Sequence, residues 1–354
     1  MNTFRFIRYF YGFFVISSLL VGCSDAPLDY ESFSKYDSHV HINTKSGTFV
    51  ESAEQLNFRL LTIVTGSSSS EEIRREVEFA AYQHQQNPDR VNFATTISME
   101  EFGTSGWEEQ TIRHLSDDFE KGAIAVKVWK DIGMVFRDEN GDFIQIDDPR
   151  FDPVLDFIAS ENKTLVAHIG EPLNCWLPLD SMTVNNDRNY FRNNPQYHMY
   201  KHPEYPSHSE IIAARDHMLE KHPDLRVVGA HLGSLEYDTD VLAATLDKYP
   251  NFAVDMAARI PHFQVQDRTK VRNFIIDYAN RLLYATDIGV SESSSAESIR
   301  NRTRQTWEED WTYFTTTDTL TAPEVNEPFQ GLELDSETLE KIYYQSAVKW
   351  LPGI

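Results

Sequence analysis

Cysteine is almost missing from this chain. Only Cys23 and Cys175 occur among its 354 residues. Cys23 is expected to carry a lipid, for a reason given below, and this leaves Cys175 without a partner. The mature chain can therefore form no internal disulfide, whatever the redox state of its compartment.

Basic residues are also scarce. The chain has 32 Lys and Arg against 55 Asp and Glu, which gives a formal net charge of −23 at pH 7. A protein that binds a phosphate backbone shows a basic patch and a high isoelectric point. The charge therefore excludes nucleic acid as a partner and disfavours anionic membrane surfaces. An excess of acidic residues does not by itself identify a partner, because such an excess is usually a property of the solvated surface.

Long apolar runs are missing after residue 22. The one apolar run, at 9–21, follows Arg5 and Arg8 and is too short to cross a bilayer as a mature helix. A basic start followed by such a run is typical of a signal peptide. We therefore predict a signal peptide at residues 1–22 and expect no membrane-spanning segment after it.

The end of this run predicts a lipid anchor. The segment Leu-Leu-Val-Gly-Cys at 19–23 resembles a bacterial lipobox, in which a small residue precedes a cysteine that is lipidated and becomes the new N-terminus. We expect Cys23 to be the lipidation site and residues 23–34 to form a tether. The protein is then predicted to lie in the bacterial cell envelope, facing the periplasm or the cell surface. It would reach the membrane only through this anchor.

Residues 35–354 alternate short apolar runs with longer amphipathic ones, a pattern typical of βα units and a parallel sheet. We predict strands at 35–41, 60–65, 91–97, 124–129, 164–169, 226–231, 252–256 and 282–287. We predict helices at 71–86, 107–120, 151–161, 209–222, 238–249 and 265–280. The alternation indicates an α/β fold, a (β/α)8 TIM barrel with insertions after strands 4 and 5, in a single domain.

The two insertions follow the carboxyl ends of their strands. Residues 130–149 predict a β-hairpin around the turn Asn140-Gly141. Residues 170–207 show no period and are rich in Asn, Tyr and Pro. Loops of that length inside a compact domain are usually functional. Active sites of such barrels lie at the carboxyl ends of the strands, so we expect the second insertion to cover the mouth of the barrel.

Polar side chains gather at the predicted strand ends. His39 and His41 alternate along strand 1 and should share a face with each other and with Asp37. The ends of the other strands supply Lys127, His168, His231 and Asp287. Four of the twelve histidines fall on predicted strands, and all four lie at these ends. Two neighbouring imidazoles form half of a first-row metal site, whose other half must come from distant residues.

These segments resemble the amidohydrolase superfamily of metal-dependent barrel hydrolases over nearly the whole mature chain. The resemblance lies in Asp-Ser-His-Val-His at 37–41, Lys127, Ala-His-Ile-Gly at 167–170, Gly-Ala-His-Leu-Gly at 229–233 and Ala-Thr-Asp at 285–287. Strands 5, 6 and 8 look most like the branch that includes aminocarboxymuconate semialdehyde decarboxylase and its hydrolase relatives. Both decarboxylation and hydrolysis occur in that branch.

The resemblance implies a catalytic metal site. His39, His41 and His168 would supply neutral nitrogens and Asp287 an oxygen to a divalent cation, with zinc expected, and one position would stay open for water or substrate. The cation would lower the pKa of its water towards neutrality. Asp287 could then accept a proton from that water, and His231 could polarise the substrate carbonyl.

Lys127 leaves three alternatives open. In binuclear members of the superfamily a strand-4 lysine carries a carbamate that bridges two metal ions, and Val-Lys-Val-Trp-Lys-Asp at 126–131 resembles that pattern. In the decarboxylase-like branch the site holds one metal, and the lysine need not be a ligand. A buried ammonium facing a dication would cost several kcal/mol, so Lys127 must be carbamylated, neutral or paired elsewhere.

The substrate is predicted from the second insertion and the strand ends. Amide and aromatic side chains of the insertion suit polyhydroxylated ligands, and its basic residues suit a carboxylate. Glu171, Trp176 and Arg259 are the candidate substrate-binding residues.

The predicted function is a metal-dependent hydrolase that uses a metal-activated water on a small carboxylated or sugar-like substrate. One alternative is a metal-dependent decarboxylase of the same branch. The other is a surface lipoprotein that binds a ligand without catalysis. Either an isolated chain or a homo-oligomer is compatible with the sequence.

Overall fold

The computed structural model describes residues 29–66 and 69–354. The predicted signal peptide at 1–22, the lipidation site Cys23 and the first part of the tether, up to residue 28, lie outside the described residues. Within the described ranges, no helix combines the length and the apolar character that a membrane crossing needs.

Parallel strands alternate with helices along the described chain, as the sequence predicts. The strands of the main sheet are β1 Lys35–Asn43, β2 Phe58–Ile63, β3 Val91–Thr96, β4 Ala123–Val128, β5 Thr164–Ala167, β6 Arg226–Gly229, β7 Phe252–Asp255, β8 Leu282–Leu283 and β9 Ile288–Ser291. Their order across the sheet is β8-β7-β6-β5-β4-β3-β2-β1-β9. A separate antiparallel pair consists of β10 Thr319–Leu320 and β11 Phe329–Gln330. The predicted TIM-barrel architecture is confirmed.

Helices connect the strands, and further helices come after the last strand of the main sheet. They are α1 Thr48–Gln55, α2 Ser70–Gln86, α3 Trp107–Glu120, α4 Asp131–Met134, α5 Asp152–Ser160, α6 Asn185–Asn193, α7 His208–Lys221, α8 Ala230–Gly233, α9 Thr239–Lys248, α10 Ile260–Gln264, α11 Arg268–Tyr278, α12 Ala296–Thr315, α13 Ser336–Glu340 and α14 Ser346–Trp350. A π-helical segment, Lys341–Gln345, joins the last two. The six helices predicted from the sequence correspond to α2, α3, α5, α7, α9 and α11, with boundaries within three residues.

Side-chain alternation along the strands separates two layers of core. Leu60 of β2 packs with residues of the helices, whereas its neighbour Leu61 packs with side chains of other strands. Tyr36 and Val166 belong to the same strand-dominated cluster as Leu61. This period of two is what a barrel requires, with one face of each strand turned inwards and the other covered by helices.

The barrel closes through a divided eighth strand. β8 pairs with β7, and β9 pairs with β1. Between them, the Tyr284 carbonyl accepts from the Ser38 backbone N–H at 3.0 Å, and the Asp287 N–H donates to the His39 carbonyl at 2.8 Å. The prediction of one continuous strand over 282–287 is therefore wrong, because Asp287 has φ +67°, a left-handed conformation that a strand does not contain.

Strand β1 contains a bulge that the sequence pattern conceals. Asp37 pairs with Leu60 and Val40 pairs with Thr62. The advance of three residues along β1 therefore lies opposite an advance of two residues along β2. The extra residue reverses the alternation between Asp37 and His39. Asp37 therefore lies on the outer face, against α12, and the expectation that it shares a face with the two histidines is wrong.

The first insertion is less regular than the predicted β-hairpin, whereas the second is more structured than its sequence suggests. Residues 130–149 form a hairpin-like loop with a single antiparallel bridge, Arg137 to Phe143, and a turn in which Gly141 has φ +87°. Residues 170–207 form α6 and several short 3₁₀ turns. We call residues 170–207 the lid. Its helix α6 is tied to the C-terminal region, because the Asn185 N–H donates to the Glu324 carbonyl at 2.6 Å.

Candidate metal centre

Six polar side chains predicted from the strand ends converge inside the carboxyl end of the barrel. The Nε2 atoms of His39 and His41 lie 3.6 and 3.2 Å from Oδ1 of Asp287. The ring of His231 lies 5.0 Å from that of His39 and 4.2 Å from that of His168, centre to centre. Lys127 reaches the same point, with Nζ at 3.4 Å from Nε2 of His39. We call these six residues the cluster.

Three imidazoles of the cluster are bound at Nδ1 by groups outside the cluster, so that Nε2 faces the other cluster residues. Nδ1 of His41 donates to the Ile63 carbonyl at 2.9 Å, and Nδ1 of His231 donates to the Ala257 carbonyl at 2.8 Å. A carbonyl can only accept, so the proton of each neutral ring must be on Nδ1. Nδ1 of His39 is bound in the same way, by the Asp255 carboxylate at 2.8 Å. In each ring the lone pair of Nε2 is therefore available to a ligand.

The surroundings of His39, His168 and His231 keep these three rings neutral. Burial lowers the pKa of His39, and the nearby Lys127 adds to the effect. Burial lowers the pKa of His231 and of His168 well below the usual value, with Arg259 contributing to the first and His231 itself to the second. Neutral imidazole is the form that binds a metal ion.

The cluster passes two tests of fit to a divalent cation. Nε2 of His168 is buried and has no hydrogen-bond partner among the described residues, which is costly unless a ligand occupies it. Two ligand atoms about 2.1 Å from one ion in a tetrahedral site are roughly 3.4 Å apart, and the spacings from Asp287 to His39 and His41 are 3.6 and 3.2 Å. By distance the tightest trio is His39, His231 and Asp287, whose ligand atoms lie within 4.8 Å of one another.

Asp255, at the end of β7, is the residue that sequence reasoning missed. Its Oδ2 binds His39, and its Oδ1 accepts from the backbone N–H of His231 at 2.8 Å and of Ala257 at 3.1 Å. Burial would raise its pKa, but His39, His231 and Lys127 hold the pKa at about 2. The carboxylate is thus ionised and fixes two cluster histidines at once. Its signal in the sequence is its position, since it ends a strand as the cluster residues do.

Backbone conformation at the cluster is unusual. His231 has φ +58° and Asp287 φ +67°, and Ala258 next to Arg259 has φ +52°. Non-glycine residues in this region cost about 1–3 kcal/mol each and persist where the surroundings impose them, often at functional sites. The turns aim these side chains back over the barrel end instead of continuing the strands.

Lys127 is fully buried against the cluster. Burial lowers its pKa to about 8, while the carboxylates Asp255 and Asp287 act in the opposite direction. In the described chain its amine has His39 as its hydrogen-bonding neighbour at 3.4 Å. This position is compatible with the neutral amine and with the carbamate that the sequence left open.

Charged residues lie at the mouth of the barrel. Glu171 begins the lid and is paired with Lys130. Arg259 is only 7% exposed, and its Nε has no partner among the described residues. Its guanidinium donates to the neighbouring Ala258 carbonyl at 3.1 Å and forms no ion pair with a carboxylate within the described chain. A buried guanidinium without a direct ion pair is costly unless an anion binds it.

Trp176 is not brought to the cluster. Its indole N–H donates to the Pro206 carbonyl at 3.1 Å, and its ring packs edge-on against His208 at 5.3 Å. These contacts tie the lid to the start of α7. The mouth is instead approached by Tyr190 of α6, whose pKa is raised by burial and is also affected by Lys130 and Glu171.

A cavity of about 650 Å³ lies beside the cluster. Its walls come from α12, α10, the start of α6 and residues 320–324. Thr286, which precedes Asp287, lines the cavity, but the cluster residues themselves do not. The cavity therefore adjoins the candidate centre without containing it.

Solved structures with a similar fold include two decarboxylases and an uncharacterised protein. A 2,6-dihydroxybenzoate decarboxylase complexed with 2,6-dihydroxybenzoate is 13% identical, with TM-score 0.53, over 90% of this chain and 99% of that one. A 2,6-dihydroxybenzoate decarboxylase from Rhizobium is 13% identical, with TM-score 0.52, over 90% and 98%. An uncharacterised TIM-barrel protein from Bordetella bronchiseptica is 13% identical, with TM-score 0.50, over 90% and 99%. At this identity the likeness shows the fold.

The sequence itself matches a family. No curated protein matches the chain. The family model described as amidohydrolase matches residues 70–353, which include His168, His231 and Asp287 but begin after β1 and its two histidines. The match covers most of the chain and agrees with the resemblance drawn from the strand-end motifs. The chain therefore belongs to the amidohydrolase family.

Proposed function

We propose that this amidohydrolase is a metal-dependent enzyme in which His39, His41, His168 and Asp287 hold a divalent cation, with zinc the expected ion. The observation that carries the proposal is the fixed orientation of His39 and His41, whose Nε2 atoms lie 3.6 and 3.2 Å from one carboxylate oxygen of Asp287. A cation held there would supply Lewis-acid chemistry to a substrate carbonyl and to water. The protein would contribute the orientation of these groups, set by Asp255 and by backbone carbonyls.

His231 would act on the substrate. Its Nδ1 is bound to the Ala257 carbonyl, so its Nε2 is the atom that can bond to a substrate oxygen or exchange a proton. Burial and Arg259 lower its pKa, which keeps it neutral and able to accept. Burial would raise the pKa of Asp287, but His41 and the other histidines hold it below the usual range, so this carboxylate is ionised and can also receive a proton.

The position of Arg259 supports the proposal that the substrate carries a carboxylate. Its guanidinium is buried beside the cluster, close enough to influence the pKa of both His168 and His231. A substrate carboxylate would supply the direct ion-pair partner that Arg259 lacks among the described residues, and two parallel N–H donors suit that group. Lys130, already paired with Glu171, would leave Arg259 as the main anchor.

Hydrolysis is the proposed reaction, and decarboxylation is the second candidate. A carboxylate on Arg259 would be a handle if a neighbouring ester, lactone or amide reacts, and the reacting group if carbon dioxide leaves. The second candidate is supported by this closeness of Arg259 to His231. The dihydroxybenzoate decarboxylases named above have the same fold.

Isotope labelling separates the two reactions. Metal-loaded protein is incubated in ¹⁸O-water with carboxylated lactones, carboxylated amides and hydroxybenzoates. Hydrolysis predicts a product that gains one ¹⁸O without loss of carbon dioxide. Decarboxylation predicts carbon dioxide release and a product that gains a solvent proton on carbon. A metal-loaded protein that transforms none of these classes would contradict a carboxylated substrate.

We also propose that the enzyme is a lipoprotein of the cell envelope, on the basis of the lipobox-like segment ending at Cys23. In cells, Cys23→Ala should move the protein out of the membrane fraction. The matched control is Cys175→Ala, which removes the other cysteine and should leave the protein in place. A Cys23→Ala protein that stays in the membrane fraction with its signal segment removed would contradict the anchor.

A further inference from the structure

Each residue of the turn that carries Asp287 forms a hydrogen bond that holds the turn in place. Thr286 donates its N–H to Oδ1 of Asp37 at 3.0 Å and its hydroxyl to Oδ2 at 2.7 Å. The same hydroxyl accepts from the N–H of Ile288 at 3.2 Å. The N–H of Asp287 itself donates to the His39 carbonyl at 2.8 Å. The backbone on both sides of Asp287 is therefore bound, directly or through one hydroxyl, to Asp37 and its strand.

Asp37 is placed for this contact by the bulge in β1. The bulge turns its carboxylate outwards while His39 and His41 remain inside. The carboxylate is fully buried and also accepts from the indole N–H of Trp307 in α12 at 3.0 Å. Its Oδ1 also accepts a hydrogen bond from the backbone N–H of His39 at 3.4 Å. A buried carboxylate is tolerated where several donors surround it, and these donors come from three separate elements.

We propose that Asp37 is a positioning residue for the metal centre, which holds the left-handed turn of Asp287 against β1 through Thr286. We call Asp37, Thr286 and the indole N–H of Trp307 the clamp. The inference rests on the proposed function, because it concerns how Asp287 and His39 are set as a pair. Asp37 would touch neither the cation nor the substrate.

The reason for a clamp is the conformation of Asp287. A non-glycine residue at φ +67° relaxes towards the strand region unless its neighbours prevent it. Such a relaxation would swing the carboxylate away from Nε2 of His41 and His39, now at 3.2 and 3.6 Å. Residues that orient metal ligands typically change metal affinity or activity by about 10- to 100-fold when they are replaced.

Thr286 offers the cleanest test. Thr286→Val removes the hydroxyl but keeps the shape and the backbone N–H bond to Asp37. Thr286→Ser keeps the hydroxyl and should restore the wild-type behaviour. Thr303→Val is the matched control, because Thr303 is a buried threonine of α12 whose hydroxyl, among the described residues, bonds only to carbonyls of its own helix, at 2.9 and 3.2 Å. Asp37→Asn and Trp307→Phe then probe the other two members of the clamp.

Metal affinity and ligand geometry are the readouts. The affinity for Zn²⁺ is measured by competition with a chromophoric chelator, the visible spectrum of the Co²⁺-loaded protein reports the geometry, and thermal unfolding of metal-free protein checks the fold. We expect Thr286→Val to weaken Zn²⁺ binding by about 10- to 100-fold and to alter the Co²⁺ spectrum. Thr286→Ser and Thr303→Val should behave as wild type. Asp37→Asn should weaken binding at least as much as Thr286→Val.

The outcomes separate the clamp from the metal site itself. Wild-type affinity and spectrum in both Thr286→Val and Asp37→Asn would overturn the clamp while leaving the proposed function intact. Equal losses in Thr303→Val would also overturn it, because general destabilisation would then explain the effect. A wild-type protein that binds neither Zn²⁺ nor Co²⁺ would overturn the proposed function, and the clamp with it.

Discussion

His39 and Asp255 are joined by a 2.8 Å hydrogen bond between two strands, β1 and β7, that are not neighbours in the sheet. The bond fixes the tautomer of His39, and the second oxygen of Asp255 binds the N–H of His231 at 2.8 Å. One buried carboxylate therefore sets the position of a proposed metal ligand and of the proposed proton carrier. Both would shift together if Asp255 lost its charge.

His231 is expected to act on substrate without being needed for metal binding. His231→Asn is the variant of choice, because asparagine tolerates the left-handed backbone found at this position, φ +58°. The metal content should remain, and kcat should fall by about two to four powers of ten, the usual contribution of a positioned acid or base. Metal analysis and steady-state kinetics on one preparation check both.

A loss of metal from His231→Asn would contradict this division of roles. His231 would then be a ligand, in agreement with its short distance to His39 and Asp287. A variant with full metal and full turnover would remove His231 from the mechanism.

Arg259 is expected to bind the carboxylate of the substrate. Arg259→Met keeps much of the side-chain volume and removes the charge, so kcat/KM for a carboxylated substrate should fall by about 10- to 100-fold, the worth of a charged hydrogen bond. The corresponding neutral amide should be turned over equally by wild type and variant. Arg226→Met, at the amino end of β6, is the control and should change neither substrate's kinetics. Equal losses on both substrates would contradict a carboxylate anchor.

Asp310 of α12 should make stability depend on pH. Burial raises the pKa of this carboxyl from 3.8 to about 8, against the hydrogen bond from Tyr284. Because the folded pKa lies above the unfolded one, the stability that the protonated group contributes is present in full below about pH 4 and is lost as the pH rises to about 8.

Comparison with Asp310→Asn isolates this carboxyl. The free energy of unfolding of wild type relative to the variant should fall between pH 4 and pH 8. The whole shift would correspond to roughly 6 kcal/mol, and we expect about 2 kcal/mol because solvent in the adjoining cavity screens part of the charge. Urea unfolding across that range measures it. If the free energies of unfolding of wild type and variant differ by the same amount at all these pH values, Asp310 does not titrate in this range.

Much of the fold could be predicted because its signals are local. The apolar runs and amphipathic segments give the strand and helix positions, and the strand ends give His168, His231 and Asp287. Helix α6 could not be predicted, because its sequence Asn-Asn-Asp-Arg-Asn-Tyr-Phe-Arg-Asn has no apolar period. Contacts distant in the sequence hold it, such as Asn185 to Glu324.

The rest of the site depends on backbone features that alternation does not reveal. A simple period of two places the side chains of Asp37 and His39 on the same face of β1, but the bulge in β1 places them on opposite faces. The same reasoning extends the eighth strand through Asp287, where the chain instead turns. Asp255 follows three apolar residues at a strand end, and its position alone could have marked it as a member of the site.

Metal content tests the central claim most directly. Protein purified without chelator is analysed beside His39→Ala and beside His222→Ala, a control in which a buried histidine bound to Asp152 and Asp156 is removed. We predict about one equivalent of divalent cation in wild type and in His222→Ala, or two if Lys127 is carbamylated, and little in His39→Ala. A wild-type protein without metal after supply of Zn²⁺, or a His39→Ala protein that retains the full wild-type amount, would contradict the account.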